Sequence, residues 1–421
     1  MLPAQQAEDL ILSLVKPLNA QQNCEMIDLL AASGRILAES VIGQLDFPHW
    51  DNSAMDGYAV RFDDVQACTA ESPAVLQVIE EIPAGYVPQK TVQAGQAARI
   101  LTGSMMPAGA DTVVIQEVTK REGDRLSILS APQPQAFVRH RATFYQSGTP
   151  LLPAGLTLSA PEIAVLAAAQ CTQVKVYRRP RVAILSTGSE LVEPDQPLQP
   201  GQIVDSNQYA LAALVAQSGA EPLLLGIVPD HPEALKGAIA NAISTADLVL
   251  SSGGVSVGDY DYVDRILADL GAQLHIRAVA VKPGKPLTVA TFQKNQTSES
   301  AVPLLYFGLP GNPVSALVSF WRFVQPALRK LSGQPDGWRP VFVEGRSLYP
   351  LKSDGKRESY LWGKLRLTNG AYEFHLATGS HSSGNLINLA QTNALAVVPV
   401  GQTLIPAGDS VQIMQVGSPC R

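Results

Sequence analysis

The chain of 421 residues is 46% hydrophobic and 16% charged, with a net charge of −6, which argues for a folded protein of roughly three domains rather than a disordered one. The acidic balance and the lack of Lys/Arg runs argue against broad nucleic-acid binding. Cys24, Cys68, Cys171 and Cys420 are scattered, the six histidines lack metal-protease spacing, and no apolar stretch approaches the ~20 residues of a bilayer span. With no signal-peptide pattern after Met1, a reducing, cytoplasmic setting is expected.

Leu10, Ile11, Leu14, Val15 and Leu18 form a helical stripe. A second helix is predicted from about Glu25 to Gly34, a glycine suited to a helix end. Phe47 to Tyr58 is turn-rich, and Asp51, Asn52 and Asp56 have a simple reading there as turn formers. From Leu76 to Val118 short strands alternate with Pro-Ala-Gly and Gln-Ala-Gly turns, punctuated by Thr102-Gly103-Ser104 and Gln116-Glu117. Pro161 marks the start of a helix over Ala160 to Ala169, so the β unit is inserted into a helical and extended domain. The expected division is 1–46 plus 138–176, an insert over 47–137, a central domain over 177–332 and a C-terminal domain over 333–421.

From Arg181 the rhythm changes to alternating strands and helices. Strands are predicted over Val182 to Leu185, Pro222 to Val228, Leu248 to Leu250, Leu274 to Val281, Leu287 to Thr291 and Leu304 to Phe307. Helices are expected over Asn207 to Gln217, Pro232 to Ala242 and after Asp261. A long one follows the Asn312-Pro313 cap and is kinked at Pro326. This pattern implies a doubly wound, mostly parallel α/β sheet, whose ligands bind at the carboxyl ends of the strands.

Those ends are rich in chemistry. They carry Ser186-Thr187-Gly188-Ser189-Glu190, Pro229-Asp230, and Ser251 through Asp261 with Ser252, Gly253, Gly254 and Ser256. Lys282-Pro283-Gly284-Lys285-Pro286 and Gly308-Leu309-Pro310-Gly311-Asn312-Pro313 follow. Glycine-loop amides are directed donors, and Lys282 and Lys285 are point charges for phosphate or another oxyanion. Glu190, Asp230 and Asp261 are hard oxygen ligands suited to Mg2+. Asp230 and Asp261 also have bland readings as helix caps, and the lysines as solvated charges. The chain has neither GxxxxGK[ST] nor GxGxxG, which disfavours the ordinary nucleotide-loop readings. Nothing resembles a nucleophile–histidine–acid triad, so electrostatic activation of phosphoryl or oxyanion transfer fits best.

Short strands from Val341 to Val416, with turns at Asp354-Gly355 and Asn369-Gly370, predict a small β-barrel-like domain. Gly379-Ser380-His381-Ser382-Ser383-Gly384 reads as a surface loop or a ligand lid, and Arg357-Glu358 as an exposed pair.

Taken in order, Asp51 to Ala59, Thr102-Gly103 to Asp111, Gln116-Glu117, Ser186 to Leu191, Ser252 to Ser256 with Asp261, Lys282 to Pro286 and Gly308 to Pro313 resemble the molybdopterin molybdenumtransferase family of molybdenum-cofactor biosynthesis. The resemblance implies an elongated four-domain protomer in a homodimer, each site lying between one central domain and the partner's insert. It implies insertion of molybdate into adenylylated molybdopterin with release of AMP, and a Mg2+ requirement met by Asp230 and Asp261. It assigns catalysis to Asp56, Glu190, Asp230, Asp261, Lys282 and Lys285. It assigns substrate contacts to Thr102, Gly103, Thr187, Gly188, Ser252, Gly253, Gly254, Ser256, Pro310, Gly311, Asn312, Pro313 and Ser380. Other proteins of the same pathway are further partners by this resemblance. A related molybdopterin adenylyltransferase resembles the central domain alone, and a silent pterin-binding carrier is the rival of another class. One departure supports that rival: where the family usually has Gly-Glu-Asp, this chain has Ala142-Thr143-Phe144.

Overall fold

A computed structural model describes backbone and side chains of residues 1–253, 263–293 and 303–420, and the backbone alone of 260–262. The helix Ala4–Leu14 buries Ala4, Ala7, Ile11 and Leu12, the i, i+3/i+4 spacing of one apolar face. Its partner is the central body, not the neighbouring N-terminal segment, and Leu18 joins the same core. Glu8 on this face is 2% exposed and accepts from Arg322 at 2.6 Å. Removing either partner strands a buried charge, a loss of about 3–5 kcal/mol.

The helix predicted from Glu25 to Gly34 is absent. Cys24–Asp28 is a strand paired antiparallel with Gln173–Tyr177, followed by a 3-10 turn at Leu29–Ala31. Tertiary pairing overrides the local pattern: Ile27 and Leu29 pack on a small core of Leu37, Leu158, Leu166, Val174 and Val176. Gly34 does take a left-handed φ of 75°. The helix Ala160–Ala168 starts in a capping box, with Ser159 and Glu162 reciprocally bonded.

The insert is a curled six-stranded sheet in the order Thr112–Ile115, Gly57–Val60, Gln96–Ile100, Ala74–Ile82, Arg125–Ile128, Thr119–Glu122. Alternation along its strands feeds two cores, Tyr58 and Val60 on one face and Ala59 on the other. Its base is closed where Val138–Arg139 pairs with Asn52–Ser53.

The central sheet runs Glu221–Val228, Arg181–Thr187, Leu248–Ser252, Leu304–Leu309, Pro286–Phe292, Gln273–Ala278. The first four strands are mutually parallel, and Pro286–Phe292 runs antiparallel to both of its neighbours. The chain winds first to one side of Arg181–Thr187 and then to the other. The strand order therefore reverses between Arg181–Thr187 and Leu248–Ser252, which is where such sheets open a crevice. The last helix is interrupted earlier than expected: Pro313–Ser319 passes into a π turn at Phe320–Val324 before Gln325–Leu331. A proline at 326 lacks an amide and crowds the carbonyl of Arg322 four residues back, so the irregularity falls in the preceding turn.

The C-terminal region is a closed five-strand barrel of Phe342–Ser347, Ser410–Gln415, Ala394–Val398, Glu358–Thr368 and Ala371–Leu376, shut by a parallel pairing of the last strand with the first. Ala394, Ala396 and Val398 fill its interior, while Leu395, Val397, Tyr360 and Trp362 face outward into the central core. The barrel thus packs firmly on the domain that carries the cleft. Among the described residues no helix is long and apolar enough to cross a membrane.

Candidate active site

A cleft of about 1020 Å³ opens at the carboxyl ends of the parallel strands, at the order reversal. Of the residues predicted from sequence, Thr187, Glu190, Asp230, Ser252, Gly253, Pro310, Gly311, Asn312 and Pro313 line it. Gly253 sits at φ 95°, and a Cβ there would stand 2.2 Å from the Thr187 carbonyl oxygen, so only glycine closes this loop on its neighbour. A Cβ on Gly188 would meet the Glu190 carboxylate at 2.8 Å. Asp230 does not cap its helix, because His231 occupies that position. Instead its Oδ2 accepts from the Ser189 amide at 3.4 Å, leaving most of the carboxylate open to the cleft. Gly254 and Ser256 lie outside the described residues, and so does the side chain of Asp261.

Of the lysine loop, Pro286 reaches the cleft, whereas the exposed Lys282 and Lys285 are not among the residues that line it. Val281–Lys282 pairs in parallel with Glu358–Ser359 of the barrel. Lys282 Nζ donates to Asp354 at 3.0 Å. The Lys356 amide first, and then Lys282, hold the Asp354 carboxyl below its ordinary range. Arg357 and Glu358 are not an exposed pair: Arg357 donates to the Val281 carbonyl at 3.1 Å, and the Tyr360 hydroxyl donates to Glu358. Pinning the barrel edge to the lysine loop explains both.

Asn312 stands at the helix start but makes no capping bond. Its amide donates instead to Ser383 Oγ at 3.1 Å, while the Val314 amide donates to the Ser383 carbonyl. The Gly379–Gly384 loop is therefore docked against the cleft, with Gly384 among the lining residues. His381 holds it there, its ring centroid 4.5 Å from that of Trp362. The carbonyl of Ser380 accepts from Asn385 and Asn388.

Asp56, Thr102 and Gly103 belong to the insert, and among the described residues none of the three lines the cleft of its own chain. They do meet each other. The Thr102 amide and hydroxyl donate to Asp56 Oδ1 at 2.7 and 2.8 Å, which holds the carboxyl below its ordinary range and keeps it ionised. Nearby, Asp51 accepts from the Arg141 amide at 2.7 Å and pairs with His140 at 3.1 Å. Arg141 also donates to Asp46 at 2.6 Å. These bonds clamp Arg139 to Tyr145 onto Phe47 to Asp51, so Asp51 is an anchor and more than a turn former.

Sequence reasoning missed Asp205 and Asn207, treating the latter only as a helix start. Both line the cleft and are buried. Asp205 Oδ1 accepts the amides of Asn207 and Gln208 at 3.1 and 3.2 Å. Asn207 Nδ2 donates to Ser252 Oγ at 2.7 Å and to the Gly311 carbonyl at 2.8 Å. The other atoms, Asp205 Oδ2 and Asn207 Oδ1, have no partner among the described residues, nor do the hydroxyls of Ser186 and Thr187. An Asp-Ser-Asn run before a helix was the available signal, but it is also what an ordinary cap looks like.

Residues 2–169 match the family model described as the MoeA N-terminal region (domain I and II), 183–330 the probable molybdopterin binding domain, and 344–416 the MoeA C-terminal region (domain IV). A molybdopterin molybdenumtransferase of Nostoc sp. is 64% identical over 97% of this chain and 92% of its own. The chain belongs to the molybdopterin molybdenumtransferase family. A Haemophilus influenzae member is 34% identical over 92% of this chain and 93% of its own. The crystal structure of the Pyrococcus horikoshii OT3 molybdopterin biosynthesis moeA protein superposes with a TM-score of 0.81 at 30% identity, covering 99% of this chain and all of that one. All of the cleft's lining except Gly384 and Leu386 falls in the stretch matched as the probable molybdopterin binding domain.

Proposed function

We propose that the chain inserts molybdenum into molybdopterin, taking molybdate and adenylylated molybdopterin and releasing AMP. The observation that carries this reading is the large cleft at the strand-order reversal of the 183–330 domain, lined by glycine turns and by buried polar atoms without partners among the described residues. Its volume suits a pterin bearing a phosphate chain, since ligand sites of this kind run to roughly 300–1,000 Å³.

The division of labour follows from charge. The start of helix Pro232–Thr245 presents a positive dipole end to the cleft, a natural place for phosphate oxygens. Lys285 and Lys282, on the exposed loop that leads into the cleft at Pro286, attract the incoming oxyanion, and Lys282 exchanges Asp354 for it. Among the described residues no three of His, Cys, Asp or Glu stand together as metal ligands. The open carboxylate of Asp230 does fit a hard cation, and Mg2+ is commonly held by one or two carboxylates plus substrate phosphate. Asp230, with Asp261, would hold it; bound there, it supplies charge to phosphate oxygens. Asp56, fixed and ionised by Thr102, acts from the insert of a partner copy. This makes the active unit a homodimer, and a cytoplasmic one.

Incubation with adenylylated molybdopterin, molybdate and Mg2+ tests the reading. Release of AMP coupled to molybdenum incorporation is the expected result. Tight pterin binding without turnover would instead make the chain a carrier, the reading that Ala142-Thr143-Phe144 favours. AMP attachment to molybdopterin would make it an adenylyltransferase.

A further inference from the structure

The floor of the cleft carries two acceptors that the proposed chemistry leaves unused. Asp205 is 2% exposed and Asn207 7%. One side of each is fixed inside the protein: Asp205 Oδ1 by two amides, Asn207 Nδ2 by Ser252 and Gly311. That leaves Asp205 Oδ2 and Asn207 Oδ1, two positions apart in the chain, as buried acceptors without a partner among the described residues. Buried acceptors without donors are costly to maintain, so the pair is built for a ligand that brings N–H groups. A phosphate or molybdate oxygen does not qualify, because the Asp205 carboxylate repels it. Anionic groups therefore belong toward the lysine loop, and a neutral donor edge at the floor.

We infer that Asp205 and Asn207 read the 2-amino and N3–H edge of the pterin ring. A 2-amino-4-oxo pyrimidine presents these two donors side by side, the complement of this pair of acceptors. The hydroxyls of Ser186 and Thr187, also buried and partnerless, are available as donors to ring acceptors such as O4. The ring thus seats at the floor with its phosphate chain directed to the rim. This assignment rests on the molybdopterin reading of the cleft.

The test uses the full-length protein and two small probes, 6-hydroxymethylpterin and its lumazine counterpart, in which the 2-amino group is replaced by a 2-oxo group. Wild type should bind the pterin at least about tenfold more tightly, since a 2-oxo group sets an acceptor against a carboxylate. In Asp205→Asn the carbonyl oxygen stays with the two backbone amides and the new NH2 faces the cleft. Pterin affinity should fall about 10–100-fold and lumazine affinity should rise. Equal wild-type affinity for the two probes overturns the assignment, and this comparison decides even if the variant does not fold. A loss in Asp205→Asn that is equal for both probes and depends on Mg2+ also overturns it, making Asp205 a metal ligand. If molybdenum insertion proceeds without 2-amino discrimination, only this inference fails. If neither probe binds and insertion is absent as well, the molybdopterin reading itself fails.

Discussion

The central cleft and the insert treat their polar groups in opposite ways. In the cleft, Ser186, Thr187, Asp205 and Asn207 each leave a buried atom without a partner among the described residues. On the insert and the segments that flank it, Asp46, Asp51 and Asp56 are all engaged by neighbouring amides or side chains, while Phe47, Trp50 and Phe144 stand 44%, 45% and 63% exposed. A floor of unpaired groups is made to receive a small polar ligand. A surface with satisfied acids and bare rings is pre-organised to be pressed against something larger. The proposed site, shared between two copies, would join the two kinds of surface.

The largest effect that sharpens this contrast is expected at Asp230. Among the described residues its carboxylate makes one long contact, at 3.4 Å, so Asp230→Asn should leave the melting temperature unchanged. If the carboxylate acts on the substrate phosphates through Mg2+, turnover should fall by about 10²–10⁴-fold, with a raised Mg2+ requirement. Near-normal turnover at low Mg2+ would remove Asp230 from the machinery.

The shared site predicts the next effect. Asp56→Ala and Lys285→Ala, each inactive alone, lie on different surfaces, so a hybrid dimer retains one intact site. Random mixing makes half the dimers hybrid, which restores about a quarter of wild-type activity. A fully active monomer by light scattering at micromolar concentration would defeat this arrangement.

Much of this was legible in the chain itself. The parallel strands of the central domain are buried on both faces and so read as apolar runs ending in glycine, which located the cleft and nine of its lining residues. The Glu25–Gly34 stretch was misread because its partner, Gln173–Tyr177, lies about 150 positions away, beyond any local window. Asp205 and Asn207 were invisible for another reason. Their role depends on which of two atoms on each side chain the fold leaves unpaired, and residue type alone does not encode that. The docking of Ser383 on Asn312 likewise joins two domains.

A smaller effect is expected at the segment where the chain departs from the pattern that the resemblance implies. On the clamped segment beside Asp51, Ala142, Thr143 and Phe144 stand where the family resemblance leads one to expect Gly-Glu-Asp. Restoring all three residues should raise kcat at least about tenfold, the low side of what one positioned acid contributes. KM should change less, because relief or addition of an exposed charge contact is worth only about 1 kcal/mol or less. Unchanged kcat would show that this segment serves only as a linker.

The smallest effect isolates the backbone from the acids. Ala142 holds φ at 61°, a left-handed conformation that costs a residue with a Cβ about 1–2 kcal/mol. It is kept there by its amide bond to the Pro48 carbonyl at 3.0 Å and by the neighbouring Arg141 amide on Asp51. Ala142→Gly removes the strain but gives the unfolded chain more freedom, which returns about 0.5–1 kcal/mol. The net gain is therefore roughly 0.5 kcal/mol, too little to register in the melting of a four-part protein but enough to slow local opening about twofold. Hydrogen exchange at the amides of Arg141, Ala142 and Phe144 should report it, with kcat unaltered. Faster exchange in the glycine variant would mean that the clamp does not rest on this conformation. A rise in kcat from the glycine alone would move the advantage of the restored triple away from its two acids and onto the turn that carries them.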